Sequence, residues 1–321
     1  MMSRILIRSI VLIFILILVL LIFFANRSPF GKSNSSFASE PKEEITRIEF
    51  SEKGNRLTLE KTGESWMING KIEARKSGVL FIIRILKEIK IKSPVSPELF
   101  DSVISGKNII PVKVKVYEKG RLLKTFLVYK TGSNSYGNIM KMNDSSKPFI
   151  VYVPGYDGDI GSGFTLNELF WQPYTIYNLL PSEIASVNFD NLSDTLSSFS
   201  IINRNRHFIL TGNQSGWDSS LVLRYISYFA RVPFESWAFN IEESEKRSIE
   251  THNPLYRITV TTTSGKKTIL TLWGMVTGKK GHDEIDSDRL LGKTDDKDEL
   301  FIMRYFDIDP ILKKRSYFFP Q

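Results

Sequence analysis

The chain has 321 residues, with 43 lysines and arginines against 35 acidic residues, a formal net charge of +8 and no cysteine. The missing cysteine excludes disulfides, thiol nucleophiles, thiolate metal sites and a lipidated N-terminus. Arg4, Arg8, Arg27 and Lys32 flank a single apolar run; without them 39 basic residues face 35 acids. Those charges alternate with apolar residues, as in Lys113-Val114-Lys115-Val116. Such alternation marks a solvated strand face and gives no sign of a nucleic-acid surface, where the cations gather on one side.

Residues 10–25 are uninterrupted Ile, Val, Leu and Phe closing on Ala25. With Ser9 they predict a transmembrane helix over 9–25, close to the about 20 residues that span a bilayer. Residues 1–8 form the expected cytoplasmic tail. The short tail favours export of the remainder, so the expected location is the bacterial inner membrane, single-pass, with the C-terminal domains in the periplasm. A cleaved signal peptide is the alternative, with Arg4 and Arg8 before the core and Ser36-Phe37-Ala38 as cleavage site. Its apolar core exceeds the usual length of about 7–15 residues. Residues 26–44, rich in Ser, Lys and Glu, predict a flexible linker.

Beyond the linker the pattern occurs twice. Ile45-Thr46-Arg47-Ile48-Glu49-Phe50 is echoed by Ile184-Ala185-Ser186-Val187-Asn188-Phe189. A helical stretch follows each, at 77–86 and 219–229; in the first, Val79, Ile82, Ile83, Leu86 and Ile89 share one face. Hairpins come next: 112–116 and 125–129 around Lys119-Gly120, then 256–262 and 268–273 around Ser264-Gly265. An apolar strand (148–153, 300–305) and a short aromatic helical piece (166–177, 308–319) close each copy. The predicted fold class is α+β, strand-rich: an internal duplication of one module, over 45–180 and 181–321, each the size of a domain.

The motifs that carry chemistry are incomplete. Gly292-Lys293-Thr294 resembles the end of a phosphate-binding loop, but Ser287 stands where a glycine is required. The glycines of 155–163 fit neither a dinucleotide fingerprint nor a nucleophile elbow. The acidic runs 283–288 and 295–299 lack EF-hand spacing, and Arg289, Lys293 and Lys297 interleave with them and compete for the carboxylates. His207, His252 and His282 are far apart, and Ser264-Gly265-Lys266-Lys267 falls in a predicted turn. No catalytic residue, metal site or cofactor is assigned. Aromatics are the richer signal: Tyr152, Pro154, Gly155, Tyr156, Gly158 and Trp171 form a candidate interaction patch, either core packing or a binding surface.

Leu57-Thr58-Leu59, Trp66-Met67-Ile68-Asn69-Gly70-Lys71, Lys92-Ser93-Pro94-Val95 and the run 148–158 with Trp171 downstream resemble single-pass Bacteroidota proteins carrying the domain of unknown function 4340. The resemblance covers residues 33–210 best. Where those proteins tend to place basic residues near the Trp, this chain has Gln172-Pro173. It implies a periplasmic domain on the inner membrane, and partners among auxiliary components of ABC-type export or gliding systems, with no active site to transfer. The expected function is a membrane-anchored scaffold or accessory protein that binds the bilayer through 9–25 and another envelope protein through its modules. A glycan-, peptide- or lipid-binding module is the second reading, and a hydrolase with a site at the module junction the third.

Overall fold

A computed structural model describes residues 13–17, 36–131, 138–212, 215–279 and 282–320, with side chains left out for 277–279 and 282–284. The expected tail, the ends of the expected span and most of the linker lie outside these residues. Residues 13–17 are helical, and no helix among the described residues is long and apolar enough to cross a membrane. The fold is strand-rich α+β with three antiparallel sheets. The chain divides into two compact units, 1–173 and 174–321.

The first unit is built on nine strands: β1 (Ile45–Glu52), β2 (Asn55–Thr62), β3 (Ser65–Ile68), β4 (Ile72–Glu73), β5 (Lys90–Pro94), β6 (Val112–Glu118), β7 (Arg121–Tyr129), β8 (Asn138–Lys141) and β9 (Phe149–Tyr152). Their order in the sheet is 4-3-2-1-6-7-8-9-5. Helix α1 (Lys76–Glu88) lays Val79, Ile82, Ile85 and Leu86 on one face of the sheet, against Ile48, Phe50, Val114, Phe126 and Val151. Helix α2 (Pro97–Val103), capped by Ser96 on the Leu99 N–H, covers part of the other face over Leu127, Tyr129 and Ile139. The rest of that face is polar. There Glu49 lies buried between Arg47 and Arg56, the solvated pattern that Lys113 and Lys115 announced.

The unit closes with helix α3 (Glu168–Trp171), much shorter than the helical piece expected over 166–177. The linker expectation is corrected at its C-terminal end. Phe37 is buried edge-on against Phe126 and Phe149, and Ser39 donates its N–H to the Leu86 carbonyl at 2.7 Å. A buried Phe is worth about 1.5–3 kcal/mol, enough to dock an otherwise polar segment. A cut after Ala38 would remove Phe37 from this core.

The second unit has β10 (Thr175–Tyr177), β11 (Ile184–Asn191), β12 (Phe199–Arg204), β13 (His207–Leu210), β14 (Val232–Pro233), β15 (Ser236–Trp237), β16 (Tyr256–Thr262), β17 (Lys267–Lys279), β18 (His282–Thr294) and β19 (Phe301–Arg304). Helices α4 (Ser219–Ser227) and α5 (Glu243–Thr251) precede β14 and β16, and α6 (Tyr305–Ile308) follows β19. The large sheet runs 13-12-11-16-17-18-19-15. β10 and β14 form a small sheet of their own, and Tyr177 is fully buried with its hydroxyl on the Ile258 carbonyl at 3.3 Å. The boundary expected at 180/181 is therefore corrected to 173/174: residues 175–177 pair inside the second unit.

Position by position, the order of the second sheet is that of the first without its β4. Both first strands carry a bulge at one place, between Ile45 and Arg47 and between Ile184 and Ser186. The helices begin alike: the Arg75 N–H donates to the Trp171 carbonyl, and the Asp218 N–H to that of Phe318.

Candidate functional site

Of the aromatic patch, Tyr152, Pro154, Gly155, Tyr156 and Gly158 come together at one end of the first sheet. The chain leaves β9 through Val153, which bridges to Tyr156, and the Tyr156 N–H returns to the Val153 carbonyl at 3.1 Å. Pro154-Gly155 occupies the two central places. Pro fixes φ at the first, and Gly155, at φ +71°, meets the left-handed requirement of the second. The turn throws the Tyr156 ring onto Phe81 of α1, 5.4 Å between centroids. A Cβ on Gly158 would stand 2.6 Å from that ring, so the absent side chain is what lets the loop pass.

The result is an open cleft of about 510 Å³, lined by Ile91 and Lys92 of β5, Asn138 of β8, Tyr152, Tyr156 and Asp157 among others. The tyrosines are 41% and 37% exposed, whereas Asn138 is buried. Just past the cleft residues the Asp159 carboxylate accepts the Gly161 N–H at 2.8 Å. At the end of β7, burial pushes the Lys130 ammonium below the ordinary lysine range, against the pull of Glu52 and Asp159. The cleft offers two ring faces, two phenols, an amide, an ammonium and a carboxylate. That set can stack on and hydrogen-bond to a polar ligand.

Trp171 does not belong to the cleft, which corrects the expected patch. It is fully buried, stacked on Phe50 at 5.5 Å and 13°, and its indole N–H donates to the Thr165 carbonyl at 3.0 Å. A large indole that satisfies its one donor inside the core has no free edge for a ligand. Lys92 and Asn138 were missed because strand pairing alone brings them beside residues about 60 and 13 positions away.

The remaining motifs are structural. Gly292-Lys293-Thr294 lies in β18, where Lys293 pairs with Glu250 at 2.7 Å. Ser264-Gly265 is the β16–β17 turn, with Gly265 at φ +88°. Asp286 accepts the N–H groups of Asp288 and Arg289, and Asp295 that of Ile269. His207 is exposed on β13, and the His252 ring meets the Ser248 carbonyl at 2.6 Å at the end of α5; the His282 side chain lies outside the described residues. No cluster of metal-ligating groups occurs among the described residues. The chain matches no protein-family model and no curated protein.

Proposed function

We propose that the protein is a membrane-anchored periplasmic scaffold or accessory protein of the cell envelope that binds another envelope protein. The observation that carries this reading is the charge-free apolar run 10–25 ahead of two compact units. A run of that length partitions into a bilayer and leaves the units beside it as its cargo. We infer that the units descend from one duplicated module; the shared strand order, the shared bulge and the shared bond at the helix start support this. The resemblance to single-pass Bacteroidota proteins with the domain of unknown function 4340 points the same way. It makes an ABC-type export or gliding-associated complex the class of partner to seek.

The experiment is a periplasm-active reporter fused after Gln321, with a cytoplasm-active reporter as its control, followed by membrane crosslinking. Periplasmic activity and a reproducible envelope partner are expected. A cytoplasmic signal would invert the placement, and a periplasmic signal without a partner would remove the scaffold role.

The cleft favours a second reading, a periplasmic binding module for a glycan, peptide or lipid headgroup, because Tyr152 and Tyr156 are partly exposed beside Lys92 and Asp157. Tyr152→Ala with Tyr156→Ala should abolish retention on cell-wall polymer or peptide while unfolding stays cooperative. Unchanged retention would eliminate this reading.

A further inference from the structure

The two sheets differ at one edge. In the first unit β3 is covered: after the Asn69-Gly70 turn the chain lays β4 antiparallel to it, with Met67 opposite Glu73 and Ile68 opposite Ile72. The Ala74 N–H extends this pairing onto the Trp66 carbonyl at 2.7 Å. In the second unit the corresponding strand, β13, ends the sheet among the described residues. Ile68 and Leu210 occupy the same register position, opposite Leu59 and Ile201, so Phe208 stands in the place of Trp66. Both strands also exit alike, the Asn69 N–H onto Thr58 and the Thr211 N–H onto Ser200, each at 2.8 Å.

After that exit the described segment 215–217 leads into α4 without pairing to β13. Alternation along the strand then turns the N–H and C=O of Phe208 and Leu210 outward, because the Thr211 N–H is spent inward on β12. Phe208 is half-buried where Trp66 is buried. A cleft of about 500 Å³ lies between β13 and α4, lined by Arg206, His207, Phe208, Ile209, Trp217 and Leu223, among others. Leu223 is 53% exposed. A bare edge beside an apolar groove is the arrangement to which extended peptides add as an extra strand.

We propose that the β13 edge docks an extended segment of a partner protein, taken up as a strand where the first unit uses its own β4, and that this segment alternates apolar and acidic residues. Two observations select that chemistry. The strand that fills the same place in the first unit reads Ile72-Glu73-Ala74. The charges around β13 are cationic: Arg204 and Arg206 stand at its start, and Arg315 donates to the Thr211 carbonyl just past its end. No described carboxylate lines the cleft, and the nearby Asp218 is held by Ser220 at the start of α4. Apolar side chains of the added strand face Trp217 and Leu223, and its carboxylates, turned by strand alternation to the opposite face of the sheet, lie on the side that carries Arg204. This inference rests on the protein-binding reading above and gives it a surface.

The test uses the full chain in lipid nanodiscs and a fluorescein-labelled peptide, Gly-Ile-Glu-Val-Glu-Ile-Gly, followed by anisotropy. Saturable binding is expected. Methylating every second amide nitrogen should weaken it by about tenfold or more in one phase and little in the other, since only one set of amides faces β13. Arg204→Glu should weaken the peptide by about tenfold and favour a version with Lys in place of Glu. Equal effects of the two methylation phases would overturn the proposal, as would no saturation by about 1 mM peptide, the weakest affinity of interest. A reproducible crosslinked envelope partner alongside a negative peptide result would keep the protein-binding reading and reject this edge as its site.

Discussion

Ile82 in the first unit and Tyr225 in the second hold the same position on the helix that covers the sheet, each seven residues after the N-cap residue, Arg75 or Asp218. Both are fully buried. Ile82 asks only for volume, and the first core mixes aliphatic residues with Phe50, Phe126, Phe164 and Trp171. Tyr225 asks for volume and a hydrogen-bond acceptor. Its ring packs edge-on to Phe199, Phe229 and Phe318, and its hydroxyl donates to the Ile311 carbonyl at 3.0 Å. One strand order thus accepts an aliphatic or a hydrogen-bonding residue at the same helix position. Tyr225 ties the C-terminal segment to the helix through a polar bond that Ile82, with no polar atom in its side chain, cannot make.

The largest expected effect comes from the closing aromatic. Trp171→Ala empties the Phe50 stack and should cost the first unit about 4 kcal/mol. Hydrogen exchange resolved by peptide should show the loss over β1, β6 and α1, with the second unit unchanged. If protection fell equally in both units, they would not be separate cooperative bodies.

A second pair separates cavity from overpacking. Met140 lies opposite Phe149 in the first sheet, and Gly292 opposite Phe301 in the second. There the Phe301 ring lies across the glycine, where a Cβ would collide with it. Met140→Ala should cost about 3 kcal/mol by opening a cavity, and Gly292→Ala about 2 kcal/mol by crowding, both read by denaturant titration. A neutral Gly292→Ala would mean that the ring moves aside freely.

Tyr225→Phe leaves the Ile311 carbonyl buried without its donor and should cost about 1–2 kcal/mol. Protection should drop around 309–318, while Ile82→Val, the matching change in the first unit, costs about 1 kcal/mol with no such regional effect.

The smallest effect is electrostatic. Glu49 and Asn188 occupy the same place on β1 and β11. Burial pushes the Glu49 carboxyl up, but the Arg56 hydrogen bond and the fields of Arg56, Arg47 and Lys115 outweigh it and hold the group below its ordinary 4.5. Its contribution is therefore complete above the ordinary carboxyl range and is lost as the pH falls through the lowered value. Asn188, bonded to Ser200, has no such dependence. Glu49→Gln should cost about 1 kcal/mol at neutral pH and flatten the acid limb of the first unit's stability. An unchanged acid limb would assign that dependence to other carboxylates.

Much of the local structure was legible. The helix of 77–86 runs over Lys76–Glu88 because Val79, Ile82 and Leu86 recur at the helical period. The hairpins turn at Gly120 and Gly265 because both hold positive φ. The candidate patch was half legible. Pro154-Gly155 announces its turn, but nothing in the order of residues separates Tyr156, which faces solvent, from Trp171, which faces Phe50. Both are large aromatics near a chain reversal, and only the packing around each ring distinguishes them.

By itself the sequence determined the apolar run 10–25, the missing thiol chemistry, the strand and helix periods of both units and the echo between their first strands. These follow from local composition, which acts through neighbours a few residues apart. Tertiary structure alone decided that 175–177 joins the second unit, that Phe37 docks into the first, and that β3 is covered by β4 while β13 ends its sheet among the described residues. Each of these depends on which distant backbone or side chain arrives to satisfy a hydrogen bond or fill a volume. No window of sequence contains that partner.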